Sequence, residues 1–259
     1  MKNWNAKNLP FVAAGLGVLG AAVRWVLYAV AVDERLLLPK NHPLEWLLMA
    51  LTVAAGALIA AGVWKLDGSA AYRHNFAASP GAALGAAAAA VGILVTVLMG
   101  EAPRAGMFEP FWKVLGLLAV PCLLWISYCR LKGGRPFFLF YVEVCVFLAF
   151  HILNNYQYWS GIPQTLDFVY SLLGCVALTL FAYYQAAFAV GSGKRRMQLF
   201  MGMFGGFLSI VALSGTDYWL LYCGCAIWAL TNLCSFTPVP KPKKEKKPQK
   251  ESEPENGTA

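Results

Sequence analysis

The feature that most limits what this chain can fold into is a succession of apolar runs, each about as long as a bilayer is thick, joined by short polar links. The runs fall near residues 9–32, 44–64, 81–100, 111–129, 137–153, 168–190, 198–213 and 218–234. A hydrocarbon core roughly 30 Å thick is crossed by about 20 residues of helix. Within it every backbone amide must be bonded inside its own segment, which makes helix the only solution for runs of this kind. With 59% hydrophobic and only 13% charged residues, the chain carries more apolar surface than one soluble core can hide. The sequence therefore predicts an all-α, polytopic integral membrane bundle of about eight transmembrane helices over residues 1–235, with no room for a soluble catalytic domain. The run near 198–213 is short and must extend into its flanks or sit where the bilayer is thinned.

Charge alternates between successive links, and Lys and Arg are retained on the cytoplasmic side during insertion. One side receives Lys2 and Lys7, then Lys65 and Arg73, then Arg130, Lys132 and Arg135, then Lys194, Arg195 and Arg196, then the lysines of the C-terminal tail. The other receives Arg35, Lys40 and Arg104, with Lys113 at a helix mouth. Removing any one run, including the Ala-rich third, would put basic links on both sides, so the pattern favours eight spans with both termini cytoplasmic. The net charge of +8 is spread over these links and forms no continuous face of the kind that binds nucleic acid. The first run also resembles a signal peptide, with Lys2 and Lys7 ahead of it and small residues near Gly20. It continues apolar to Val32, further than a signal needs, and its removal would leave the remaining topology unchanged.

The end of the chain, residues 236–259, reads as a disordered cytoplasmic tail, Lys- and Pro-rich and then acidic. Lys241, Lys243, Lys244, Lys246 and Lys247 are candidate contacts for anionic lipid headgroups, each contributing about 1 kcal/mol near a membrane surface. A solvated tail that fixes the C-terminus inside is the simpler reading. All seven cysteines lie in or at the ends of apolar runs, where they behave as small hydrophobes, with neither a disulfide framework nor a metal spacing.

Small residues crowd the first three runs, as in Ala13-xxx-Gly17-xxx-Ala21, Gly56-xxx-Ala60 and Gly81-xxx-Gly85, and predict close helix packing there. Most aromatic residues follow position 107, which makes the second half the place for clefts lined by rings. An acid beside aromatics opens every even run: Glu45 with Trp46, Glu109 with Phe111 and Trp112, Asp167 with Phe168, Asp217 with Tyr218 and Trp219. Four related hairpins would produce this regularity; so would the preference of acids for helix N-termini and of aromatics for the membrane interface.

Charged groups at bilayer depth are functional candidates because each costs roughly 2.5 to 3.5 kcal/mol to insert. Arg24 and Glu143 are the clear cases. Their depths, about 22 Å and about 10 Å from the inner edge at 1.5 Å per residue, argue against a direct pair. Arg24 is expected to reach outward, toward headgroups or a carboxylate such as Glu45, as an anchor. Glu143, Phe147, Phe150, His151 and Asn154 follow helical spacing and predict one inward stripe, with an acid in the inner half and an imidazole in the outer half. Gln185, Tyr183 and Tyr184, with Ser127 and Asn232 nearer the inner face, would complete a polar cluster around Glu143. A buried Glu satisfied by its neighbours and an interfacial His would look the same.

The sequence contains no H-E-x-x-H, G-x-S-x-G or P-loop motif, and His151, Asn154 and Asn155 supply too few ligands for a metal. No catalytic residue and no cofactor are expected. The leading expectation is a small permease or membrane-embedded binder of a solute, ion or lipid. The alternative is an accessory or scaffold subunit that works through helix packing against a membrane-protein partner. A third reading is a lipid-modifying enzyme, for which His151 with Asp167 or Asp217 is the acid-base set available. Compact loops and a Lys-rich tail suit a bacterial inner membrane.

Overall fold

The structure, a computed structural model, describes residues 8–31, 42–64, 72–99, 109–159, 166–216 and 218–236. The helices are α1 (Leu9–Ala31), α2 (Pro43–Trp64), α3 (Tyr72–Asn75), α4 (Pro80–Met99), α5 (Glu109–Lys132), α6 (Phe138–Trp159), α7 (Leu166–Val190), α8 (Arg195–Ala212) and α9 (Trp219–Cys234). Among the described residues there is no strand, and an isolated bridge joins Phe76 to Phe236. The all-helical membrane bundle expected from the apolar runs is thus what the chain forms.

Each of the eight apolar runs is a helix, and seven are long and apolar enough to cross a membrane. The short run near 198 does extend into its flanks: α8 begins at Arg195 and continues through a 3-10 turn at Leu213–Gly215, giving a 21-residue span. The shortest is α9, with 16 residues, about 24 Å at 1.5 Å per residue. Pro121, the one candidate for a mid-span break, lies inside α5, which runs unbroken from Glu109 to Lys132. The four-residue α3, just before α4, is an element the apolar pattern does not mark.

The links bring the basic residues to one end of the bundle. The Ser79 amide at the start of α4 donates to the Arg130 carbonyl near the end of α5 at 3.1 Å. Arg135, ahead of α6, donates through Nε to the Ala189 carbonyl at the end of α7 at 2.6 Å. Arg196 at the start of α8 stacks on Trp64, the last residue of α2, at 6.0 Å. We call this the basic end. The tail from 237 onward, with its candidate lysines Lys241 to Lys247, lies outside the described residues.

Small residues do mediate close packing, but mainly between the first half and the second. Gly17 and Gly20 of α1 meet Ile210 and Val211 of α8, and Gly56 of α2 meets Phe204 of α8. The Ala-rich α4 sits inside, wedged against α5 and α9. Its approach to α9 is backbone to backbone: a Cβ on Gly92 would lie 2.5 Å from the Leu220 carbonyl oxygen, and one on Gly224 would lie 2.7 Å from that of Ala88. Neither backbone can retreat without moving its whole helix. Side chains at these positions force overpacking, which destabilises by about 1–3 kcal/mol or more. Gly92→Val and Gly224→Val are each expected to lower the melting temperature of the detergent-purified protein by several degrees, whereas Gly15→Ala, with nothing within 4 Å of the new methyl, leaves it nearly unchanged.

Candidate functional site

The polar groups inside the bundle separate into two places, and the richer one is at the basic end. Phe181 of α7 packs edge-on against Trp228 of α9 at 5.1 Å, and Gly202 of α8 lies directly against Phe181 and Leu233. This is where α7, α8 and α9 meet. One helical turn from that contact toward the basic end, on the same side of each helix, stand Gln185 (four residues after Phe181), Gln198 (four before Gly202) and Asn232 (four after Trp228). All three are fully buried. Both polar atoms of each side-chain amide lack a hydrogen-bond partner among the described residues. An unmade buried hydrogen bond costs about 1–3 kcal/mol, so these three amides are the costliest group of polar side chains on α7, α8 and α9.

Below this layer the bundle is floored by rings and cations. Phe76, Phe188 and Phe236 pack together, with Phe76 and Phe236 at 4.7 Å and Phe76 and Phe188 at 5.3 Å. Arg130 lies over Phe76 at 4.6 Å and Arg195 over Phe236 at 5.5 Å. Arg195 donates to the Asn75 side-chain oxygen at 2.8 Å, and Arg130 donates to the Ser235 hydroxyl at 2.6 Å. Ser235 in turn donates to the Asn232 carbonyl at 2.6 Å, which ties Arg130 to the turn of α9 that carries the amide layer. Phe236, assigned from sequence to a tail that buries nothing, is buried in this floor. Its apolar ring closes the bundle between two arginines.

At the opposite end His151 sits fully buried among Trp112, Phe147, Tyr218 and Tyr222, with ring centroids 4.9 to 6.4 Å away. Its nearest polar neighbour is the Asn155 side chain, with nitrogen atoms 3.0 Å apart. It is not an interfacial group facing water. Arg24 is buried as well and turns inward: it donates to the Val211 carbonyl at 3.2 Å and to the Tyr28 hydroxyl at 3.1 Å, and lies 5.2 Å from the Tyr170 ring. Val211 is in the last turn of α8, and its carbonyl accepts from the Ser214 hydroxyl at 3.1 Å as well as from Arg24. These contacts tie α1 to the end of α8.

The stripe on α6 is rotated from its expected setting. Tyr141, Val144, Phe147, Leu148, His151, Asn154 and Asn155 are buried, a face on which Glu143 and Phe150, at about 100° per residue, fall at the edge. Both are half-buried. One of the Glu143 carboxylate oxygens is buried without a partner among the described residues. Gln185 and Asn232 are both fully buried, whereas Tyr183 faces outward, Tyr184 is half-buried against Tyr183, and Ser127 donates to the Ala83 carbonyl at 2.7 Å. Sequence reasoning missed Gln198, Arg130 and Arg195 as site residues. Arg130 and Arg195 were taken as solvated topology signals, and Gln198 was hidden by the basic triplet just before it. No group of three or more His, Cys, Asp or Glu side chains is placed to hold a metal among the described residues. Asp217 and the Asp167 side chain, partners in the enzymatic reading, lie outside the described residues.

No family model, curated protein or solved structure matches the chain. The site is therefore read from its own chemistry. Replacing Arg24 with Met deletes the donor at the end of α8 and is expected to destabilise the fold by about 1–3 kcal/mol, seen as a lower melting temperature, with Arg24→Lys recovering part of the loss.

Proposed function

We propose that this membrane protein is a small permease or membrane-embedded binder of a polar solute, and that Gln185, Gln198 and Asn232 form its binding layer. The observation that supports this reading is the gathering of three fully buried amides on three facing helices with all six polar atoms unpartnered. Elsewhere in the spans, hydroxyls of Thr52, Thr96, Thr179, Ser209 and Thr231 return to carbonyls of their own helices. Side-chain amides cannot do so as readily, and each offers both a donor pair and an acceptor. A ring of them suits a guest that carries hydroxyl, carbonyl or carboxylate groups. The layer lies within about one turn of the α8 start, so a guest arriving from the basic end has a short path to it.

Two further features fit a permease. The Phe181–Trp228 contact caps the layer on its deep side, and small residues at Gly202 and Gly206 let α8 lie close to its neighbours there. Glu143 and His151, the first sequence candidates, flank the route without joining the amide layer.

The test is a thermal-shift panel of neutral, cationic and anionic small solutes on the purified protein and on Gln198→Leu. Removing two unpartnered polar atoms is expected to raise the stability of the solute-free variant by on the order of 1 kcal/mol. At the same time the variant loses the solute-specific rise shown by the unaltered protein. If no solute shifts the unaltered protein, the amide layer is not a binding site and the reading falls.

A further inference from the structure

The seam between α5 and α6 carries a carboxyl group within the membrane-spanning part of the bundle. Both helices and the link that joins them, residues 109–159, are described without a break. Two contacts set the register of the pair. Phe140 of α6 meets Trp125 of α5 with ring centroids 6.2 Å apart, and Gly116 of α5 lies against the Phe147 ring, which a Cβ there would approach to 3.0 Å. Glu143 is three residues after Phe140 and four before Phe147, so it stands between these contacts, on the α5 side of α6. The α7 side belongs to Cys145, whose thiol donates to the Thr179 carbonyl at 3.6 Å.

Glu143 lies five residues past Phe138, about 8 Å inside the span at 1.5 Å per residue. It is half-buried: one carboxylate oxygen is enclosed without a hydrogen-bond partner among the described residues, while Leu139 and Val142 of α6 and Trp125 of α5 are exposed around it. The ion pair that the described residues form, Lys113–Glu109, is at the far end of α5. The open side of this carboxyl therefore faces hydrocarbon, where an acid needs either a proton or a cation.

Rings continue from Glu143 toward the basic end. Trp125 packs on Phe140 and lies 5.8 Å from Tyr128, whose face already carries the Lys132 ammonium at 4.6 Å. Ring faces attract positive charge, and a carboxylate supplies the counter-charge. An acid at the head of a row of outward rings is thus complementary to a cation with an apolar body, and it repels an anion of the same shape.

We propose that Glu143, with Phe140 and Trp125, binds a lipophilic organic cation, an ammonium or phosphonium with apolar substituents, that enters the α5–α6 seam from the hydrocarbon side. The site is separate from the amide layer, whose side chains stand on α7, α8 and α9. The same chemistry is offered by a free cation and by the quaternary ammonium of a lipid headgroup.

The experiment measures the melting temperature of the full chain in non-ionic detergent against tetraphenylphosphonium, a permanent cation, and tetraphenylborate, an anion of the same shape. The expected result is a saturable rise with the cation and none with the anion. Half-saturation should move to at least about tenfold higher concentration in Glu143→Gln, through loss of a charged partner, and several-fold higher in Trp125→Leu, through loss of a ring face. If Glu143→Gln does not fold, Trp125→Leu, which alters an exposed ring, carries the test. Gln198→Leu should respond as the unaltered protein does, which separates this site from the amide layer. Displacement of the phosphonium by short-chain phosphatidylcholine identifies a headgroup as the natural occupant; no displacement identifies a free cation. A cation response that is absent, matched by tetraphenylborate or unchanged in both seam variants overturns the proposal. A response lost in Gln198→Leu but kept in Glu143→Gln also overturns it, and assigns the cation to the amide layer.

Discussion

The close approach of α4 to α9 is the constraint on which the rest of the molecule depends. Two helices whose backbones meet at Gly92 and Gly224 bury a 16-residue segment that is short for a bilayer and gains little from lipid alone. Once α9 is held there, α8 packs on its other side, and α7 and α1 pack on α8. The end of α9 then falls beneath α5 and α7, where Asn232, Ser235 and Phe236 meet Arg130 and Phe188. The polar site is thus a consequence of a contact that involves no polar side chain. A methyl group on either glycine would shift the amide of α9 relative to those of α7 and α8, even though neither glycine touches the site.

Polar groups inside the bundle obey one rule with a local exception. Where helices end, arginines supply donors to carbonyls of the last turn: Arg24 to Val211 and Arg135 to Ala189. Most hydroxyls buried within a span bond back to the same helix or to a neighbouring carbonyl, as Tyr222 does to the Ser171 carbonyl at 3.0 Å, although the Ser171 hydroxyl itself has no partner among the described residues. Most buried side-chain atoms that escape both solutions are at the basic end. Their concentration in one place, and not their mere existence, separates a site from scattered imperfections of packing.

The eight apolar runs, their helicity and the gathering of basic residues at one end were legible because they depend on composition and length. What was not legible depends on the rotation of each helix. Glu143 and Tyr141 are two residues apart on α6, and about 200° of turn decides that the tyrosine is buried and the acid is at the edge. The same holds for Arg130 and Lys132, where one arginine is enclosed by α3, α4 and α9 while the next basic residue stays exposed. Charge alternation treats the two alike. Gln185 stood out because it interrupts an apolar run; Gln198 did not, because it begins one. The contact of Arg24 with Val211 was hidden for the same reason, since only the fold reveals that the end of α8 lies beside it.

The amide layer and the His151 cage are separated by the Phe181–Trp228 pair and the apolar packing around it. For a solute held by the amides to leave at the opposite end, these rings must part, and α7, α8 and α9 must shift against one another. A protein that only binds needs no such movement, and its rings can stay locked. The two forms of the proposed function therefore differ at Phe181 and Trp228 and not at the amides. Gly202 bears on that difference directly: a Cβ there would lie 2.7 Å from the Phe181 ring and 2.9 Å from Leu233, so the bare backbone of α8 is what leaves the ring its present place. A ring seated against a bare helix backbone has no side chain interlocked with it on that side, so within this barrier its packing partner is Trp228.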